Sequence, residues 1–303
     1  MKQIKRVLIV GGTHGNEFTG IYLVKKIEGF SSRKDLSTPN LIQRKSFECV
    51  TTLANPNAYK IVKRYVDTDL NRCFQLQDLE NPNLSSYEAI RAKEIYQTFG
   101  TGGSQQADFV IDLHSTTANM GLTIILASKH PFNLYLAAYL TSKNSKVKIL
   151  YSATRHQDSP HLDSICEFGC TVEVGAVAQG ILDATLFQQT EELTYAILDY
   201  VEAYNQGNLP PFKDTLTIYE GIQTIDYPRN EFGEVQAMIH PKLQFRDYEP
   251  LHPGDETFIT FEGEVITYKG SSKVYPVFIN EAAYYEKGIA MFITQKTSEI
   301  LTY

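Results

Sequence analysis

The run Val7-Leu8-Ile9-Val10 breaks directly into Gly11-Gly12-Thr13-His14-Gly15-Asn16-Glu17, and a helix-like segment follows at once. Four consecutive apolar residues closed by glycines read as a strand buried on both faces, and such strands belong to sheets covered by helices. This opening commits the chain to an α/β fold. The turn also carries a histidine and a carboxylate three residues apart, and on a glycine-rich bend both can reach one ion. Taken alone, the segment is either half a metal site or a structural turn. An anion cradle at a helix start is a weaker third reading. Neither G-x-G-x-x-G nor G-K-[ST] is present, and Glu17 at the mouth would repel a phosphate.

The alternation of strand and helix signals continues down the chain. Residues 4–10 predict the first strand and 17–28 its helix, while Phe47 to Leu53 is a second strand closed by Asn55-Pro56-Asn57. Ser85 and Glu88 stand at capping-box spacing before a helix that runs to Phe99 and stops at Gly100, Gly102 and Gly103. Further strands are expected at 108–114, 121–127, 147–151 and 170–175, and helices at 132–142 and 182–206. The expected core is a mixed, largely parallel sheet with helices on both faces. Past Gly207 the texture changes: Asn208-Leu209-Pro210-Pro211 reads as a linker, and short alternating runs follow, separated by turns such as His252-Pro253-Gly254-Asp255. We therefore expect two domains, 1–207 and a smaller all-β domain at 208–303, for which 303 residues are ample.

A net charge of −7 argues against a nucleic-acid surface. The basic N-terminus precedes an apolar run of only four residues, too short for a signal peptide or a membrane span. Cys49, Cys73, Cys166 and Cys170 are scattered, which fits reduced thiols in a cytoplasm better than a disulfide framework. Cys166 and Cys170 resemble half of a thiolate metal site, but no second half follows.

In Asp108-Phe109-Val110-Ile111-Asp112-Leu113-His114, side chains alternate with period two, so Asp112 and His114 share a face. His14, Glu17 and His114 then fall at strand C-terminal ends, the edge where α/β sheets bind ligands. Two histidines and one carboxylate leave a coordination position open, which belongs to catalytic rather than structural zinc. Such an ion lowers the pKa of its water to about 7 and polarises a carbonyl. Asp112 is open between orienting an imidazole and making a plain core hydrogen bond. Glu173, inside the apolar Thr-Val-Glu-Val-Gly, is the candidate general base, because a buried carboxylate costs several kcal/mol unless something compensates it. The alternative is a structural ion pair. Arg64, Asn71 and Arg72 lie close together in a loop, where one guanidinium can stabilise an oxyanion and another can grip a carboxylate bidentately.

These residues carry a resemblance. The chain is similar throughout to aspartoacylase and its relatives, the N-acyl-amino-acid amidohydrolases of the zinc carboxypeptidase-like superfamily. The resemblance rests on Gly11 to Glu17, on Arg64-Tyr-Val-Asp-Thr-Asp-Leu-Asn71-Arg72, on Asp112-Leu-His114-Ser-Thr-Thr, on Glu173-Val-Gly, and on Val274 through Tyr284 to Lys287. It implies one Zn2+ per chain held by His14, Glu17 and His114, with Glu173 as base and later proton donor to the leaving amine. It further implies Arg64 at the oxyanion, and Asn71, Arg72 and Tyr284 at the substrate carboxylate. The C-terminal domain would narrow the entrance, which implies a small N-acyl amino acid rather than a peptide, and relatives imply a homodimer.

Three positions depart from the aspartate-specific pattern. Asp163 stands where those enzymes carry an arginine for the side-chain carboxylate, Gly288 replaces a second lysine after Lys287, and Ser115 replaces an asparagine. The Leu-Asp-Ser and Tyr-Glu-Lys-Gly segments look closer to the branch acting on N-acetylated aromatic amino acids. Asp163 would repel an N-acetylaspartate side chain if it faced it, and Arg155 or His156 are the cations that would compensate. Whole-chain resemblance puts N-acetyl-L-aspartate first. Neutral or aromatic N-acyl amino acids, N-succinylglutamate, a peptide-cleaving carboxypeptidase and a metal-stabilised binding module are the alternatives.

Overall fold

The computed structural model describes residues 2–32, 42–126, 128–152, 159–212 and 214–301. Strand β1 (Arg6–Gly11) shows why the opening run is continuous rather than alternating: Val7 and Ile9 enter one core, Leu8 and Val10 another. Helix α1 (Phe18–Ser32) covers the first of these faces and outlasts the expected helix by four residues. β2 (Glu48–Leu53) pairs in parallel with β1. Two short helices, α2 (Pro56–Lys60) and α3 (Leu76–Glu80), flank a single 3-10 turn at Leu70–Arg72.

Helix α4 (Tyr87–Phe99) packs Ala92 and Ile95 against the opposite face from α1. Its start corrects the sequence expectation. The N-cap is Ser86, whose hydroxyl accepts from Ala89 N–H, and Glu88 does not close a capping box with Ser85. Then come β3 (Phe109–Ser115), β4 (Gly121–Leu126), α5 (Pro131–Lys143), β5 (Val147–Ser152), β6 (Phe168–Gly175) and α6 (Ala184–Asn205). α5 and α6 share the α1 face. Asp183 caps α6 by accepting from Leu186 N–H, and Gly207 follows it with positive φ, as a C-terminal stop requires.

The C-terminal segment is β apart from a 3-10 helix at Ala282–Lys287: β7 (Thr215–Ile225), β8 (Ala237–Ile239), β9 (Glu256–Thr260), β10 (Val265–Thr267), β11 (Tyr275–Val277) and β12 (Met291–Ile300). β8, β9 and β10 form a small antiparallel sheet. The remaining nine strands make one sheet in the order β11-β12-β7-β5-β4-β6-β3-β1-β2. Its pairings are parallel for β1–β2, β1–β3, β3–β6, β4–β5 and β5–β7, and antiparallel for β4–β6, β7–β12 and β11–β12. The mixed, largely parallel sheet with helices on both faces is thus present, and β7 joins it through Leu150↔Tyr219, Tyr151↔Glu220 and Ser152↔Gly221. The C-terminal segment keeps a core of its own around Tyr227, Leu251, Phe258 and Ile293. A second cluster joins Met120, Ile125 and Leu150 to Tyr219, Tyr248 and Phe278 from beyond residue 207. Among the described residues, no helix is long and apolar enough to cross a membrane.

Candidate metal centre and active site

The turn after β1 is fixed from two sides. Gly15 donates its N–H to the Arg64 carbonyl (3.1 Å), and a Cβ on Gly15 would sit 2.2 Å from the backbone of Ala58. Only glycine lets the turn lie this close to α2. The turn ends with Glu17 N–H on the His14 carbonyl (3.2 Å), which folds both side chains to one side. His14 Nδ1 lies 2.7 Å from Glu17 Oε1, and His114 Nδ1 lies 3.0 Å from Glu17 Oε2 and 3.2 Å from His14 Nδ1. One ligand atom from each of the three residues falls within 4.8 Å of the others, and all three residues are buried.

The far side of each imidazole is held by a carboxylate. His114 Nε2 meets Asp112 Oδ2 at 2.7 Å, and Asp112 Oδ1 accepts from Thr13 Oγ1, so Asp112 both orients the ring and ties β3 to the turn. His14 Nε2 meets Asp69 Oδ1 at 3.0 Å. These carboxylates keep each Nε2 as the donor, which leaves both Nδ1 atoms as acceptors. Two acceptors 3.2 Å apart beside a carboxylate call for a shared cation, so the donor set fits a metal ion. Burial by itself would raise Glu17, but His14 and His114 hold it well below the usual carboxylate range.

Glu173 reaches the same place because β6 runs parallel to β3 with His114↔Glu173 in register. Period two sends Val172 and Val174 into the α1-side core and Glu173 to the other face. The buried acid was expected to have a partner. Instead its carboxylate makes no hydrogen bond or ion pair with the described residues and lines the cavity. Burial, reinforced by Glu17 and Glu281 and opposed by His114 and Arg64, pushes it up to about 8.

The cavity holds about 320 Å3 and is lined by His14, Glu17, Arg64, Asn71, Arg72, His114, Glu173 and Tyr284 together. Arg64 gives Nη1 to Glu17 Oε1 (3.1 Å) and Nη2 to Asp69 Oδ2 (3.3 Å), and its buried Nε has no partner among the described residues. Asn71 accepts Leu162 N–H through Oδ1 (2.8 Å), which fixes the side chain at the cavity wall. Arg72 places Nη1 on the Asn71 carbonyl at 2.7 Å. Tyr284 packs edge-on against Phe278 and Phe292, and burial raises its hydroxyl above the ordinary phenol range.

Three acids and cations with structural links to these residues carry no role in the sequence reading. Asp69 holds His14, Arg64, Asn71 N–H and Lys287 Nζ (2.6 Å) at once. Burial alone would raise Asp69, but His14, Arg64 and Lys287 overcome it and hold the carboxyl far below its usual value. Its signal was its place between Arg64 and Arg72. Glu281 accepts from Thr116 and Thr117 hydroxyls and from the N–H groups of Thr117 (2.7 Å), Ala118 and Ala283. It pins the Tyr284 helix to the loop after His114. Glu281→Ala leaves these buried donors unpaired, and a loss of roughly 1–3 kcal/mol in denaturant unfolding is expected. An unchanged midpoint would mean the contact is idle.

The departures also acquire positions. Asp163 is buried, accepts from Thr171 Oγ1 (2.9 Å) and does not line the cavity, so it does not face a substrate there. Gly288 ends the 3-10 helix at φ 65°, where a lysine would be strained and its Cβ would press on Asp226 at 3.0 Å. Arg155 and His156 lie outside the described residues.

Residues 3–201 match the succinylglutamate desuccinylase/aspartoacylase catalytic domain, and 214–296 match the AstE/AspA barrel-sandwich hybrid domain. The chain belongs to the succinylglutamate desuccinylase/aspartoacylase family. Within the family it is 56% identical to a probable aspartoacylase from Nostoc sp., over 98% of both chains. It is 42% identical to the human N-acyl-aromatic-L-amino acid amidohydrolase (carboxylate-forming), over 97% of this chain and 91% of that protein. Its fold superposes on the crystal structure of murine aminoacylase 3 with a TM-score of 0.91 at 39% identity, covering 99% and 98% of the two chains. The chain is therefore an amide-hydrolysing enzyme of this family, a deacylase of N-acyl amino acids.

Proposed function

We propose that the chain is a zinc enzyme that hydrolyses a small N-acyl amino acid to the free amino acid and a carboxylate, with N-acetyl-L-aspartate as the leading substrate. The observation that carries this reading is the convergence of His14, Glu17 and His114 beside an unpartnered Glu173 in one cavity. A bound zinc ion supplies a Lewis acid that makes water nucleophilic near neutral pH and polarises the amide carbonyl. Glu173 takes the proton of the attacking water and returns it to the leaving amine, a task for which its place in the cavity, in register with His114, suits it. Arg64 lines the cavity beside Glu17 and offers its guanidinium charge to the oxyanion of the tetrahedral intermediate. Asn71, Arg72 and Tyr284 bind the substrate carboxylate. We assign catalysis to 1–207, and to 208–303 the narrowing of the mouth, where Tyr284 and Lys287 stand on the cavity wall. The four cysteines are free, which supports a reducing, cytoplasmic setting.

The N-acetylaspartate reading draws support from the Nostoc relative's name and from three cations, Arg64, Arg72 and Lys287, facing one cavity. A dianion needs more than one of them. A second reading, a neutral or aromatic N-acyl amino acid, is favoured by the apolar wall of Ile125, Leu150, Val277, Phe278, Ile289 and Phe292, and by the human relative's name. Turnover on N-acetylaspartate, N-acetylated aromatic amino acids and N-succinylglutamate, with metal analysis of the protein, separates these. A kcat/KM for N-acetylaspartate at least tenfold above the rest is expected. Zinc-loaded protein inert on every N-acyl amino acid tested would sink the proposal.

A further inference from the structure

Helix α4 contributes no residue to the cavity lining, yet Glu88 turns its carboxylate from the helix into the loop that carries the substrate residues. The side chain is fully buried. Oε1 accepts from Val66 N–H (2.7 Å) and Asn55 Nδ2 (3.0 Å), and Oε2 accepts from Asp67 N–H (3.0 Å) and Thr68 N–H (3.1 Å). Three consecutive amides of a loop in which Val66 and Asp67 are exposed thus converge on one buried carboxylate. The hold is reciprocal, because Asp67 Oδ2 accepts Tyr87 N–H at the first turn of α4 (2.8 Å). Through Asn55 the same carboxylate reaches the metal turn, as Asn55 N–H donates to the Gly12 carbonyl (2.9 Å).

We infer that Glu88 is a positioning residue that sets the 66–72 loop, and with it Asn71 and Arg72, at the substrate carboxylate. No other carboxylate among the described residues accepts from the amides of 66–68. Arg64 lies on the near side of the loop and is held separately by the Gly15 N–H bond to its carbonyl. Loss of Glu88 therefore acts on substrate binding more than on the oxyanion. A glutamine cannot substitute, since its amide nitrogen would face N–H donors. The consequence for KM rests on the proposed carboxylate-binding role of Asn71 and Arg72, whereas the consequence for the loop does not.

The test is hydrogen exchange on the zinc-loaded full chain together with steady-state kinetics of Glu88→Gln. In the wild type, the amides of Val66, Asp67 and Thr68 should exchange about a hundredfold more slowly than unstructured amides. In Glu88→Gln that protection should vanish in 66–72 while β3 and β6 keep theirs, and KM for the best substrate should rise about tenfold with kcat changed by less than about threefold. Free exchange of 66–68 in the wild type overturns the inference, and this arm stands even if the variant does not fold. Wild-type protection and KM in Glu88→Gln, or equal loss of protection in β3 and β6, also overturns it. Exchange reads the loop with or without substrate, so an inert substrate panel is distinguishable from a failed assignment of Glu88.

Discussion

Glu173→Gln is expected to lower turnover of N-acyl amino acids by about 10²–10⁴-fold, the usual contribution of a positioned general base. The substitution keeps the shape of a residue in the middle of β6, so the strand and its register with β3 are preserved. The amide cannot accept a proton, and that single loss falls on the chemical step. Glu173 is outside the His14, Glu17 and His114 cluster, so zinc content should match the wild type. KM should change little, because the groups proposed to hold the substrate carboxylate are untouched. Undiminished turnover with zinc bound would remove Glu173 from the mechanism and return it to a structural role.

Removal of the metal should be felt by the whole fold. Without a metal ion, two buried Nδ1 atoms and the Glu17 carboxylate lie about 3 Å apart, and only protons taken up by the imidazoles compensate the acid. An ion that binds only the folded state stabilises it by about 4 kcal/mol when present at a thousand times its Kd. Thermal unfolding of chelated and zinc-reloaded protein measures this directly. His114→Ala should abolish the difference, since two remaining ligands no longer enclose an ion. A chelated protein that melts where the loaded one does would show that the three side chains do not bind zinc.

The parts of this site that could be read from sequence are those fixed by short-range rules. Period two put Asp112 and His114 on one face, and the break of an apolar run into glycines placed His14 and Glu17 at a strand end. Glu88 shows the limit. Its spacing from Ser85 matched a capping box, but the spacing pattern holds equally for an acid facing inward, and only the approach of the 66–68 amides decides which one forms. Asp69 was hidden for a related reason: a charged residue in a polar loop is usually solvated, and its partners His14 and Lys287 are 55 and 218 positions away. The C-terminal runs announced strands. That three of those strands would extend the large sheet depends on the β5–β7 pairing, which no local pattern encodes.

That pairing restricts how molecules come and go. Because β7 is hydrogen-bonded to β5 and then carries β12 and β11, the 3-10 helix bearing Tyr284 connects two strands of the same sheet as the strand bearing Glu173. A hinge that swung one half away from the other would have to unzip a sheet. Admission and release are then expected to proceed by movement of the loops around the cavity rather than by separation of its two halves. The enzyme would sort its clients by girth before any charged group inspects them.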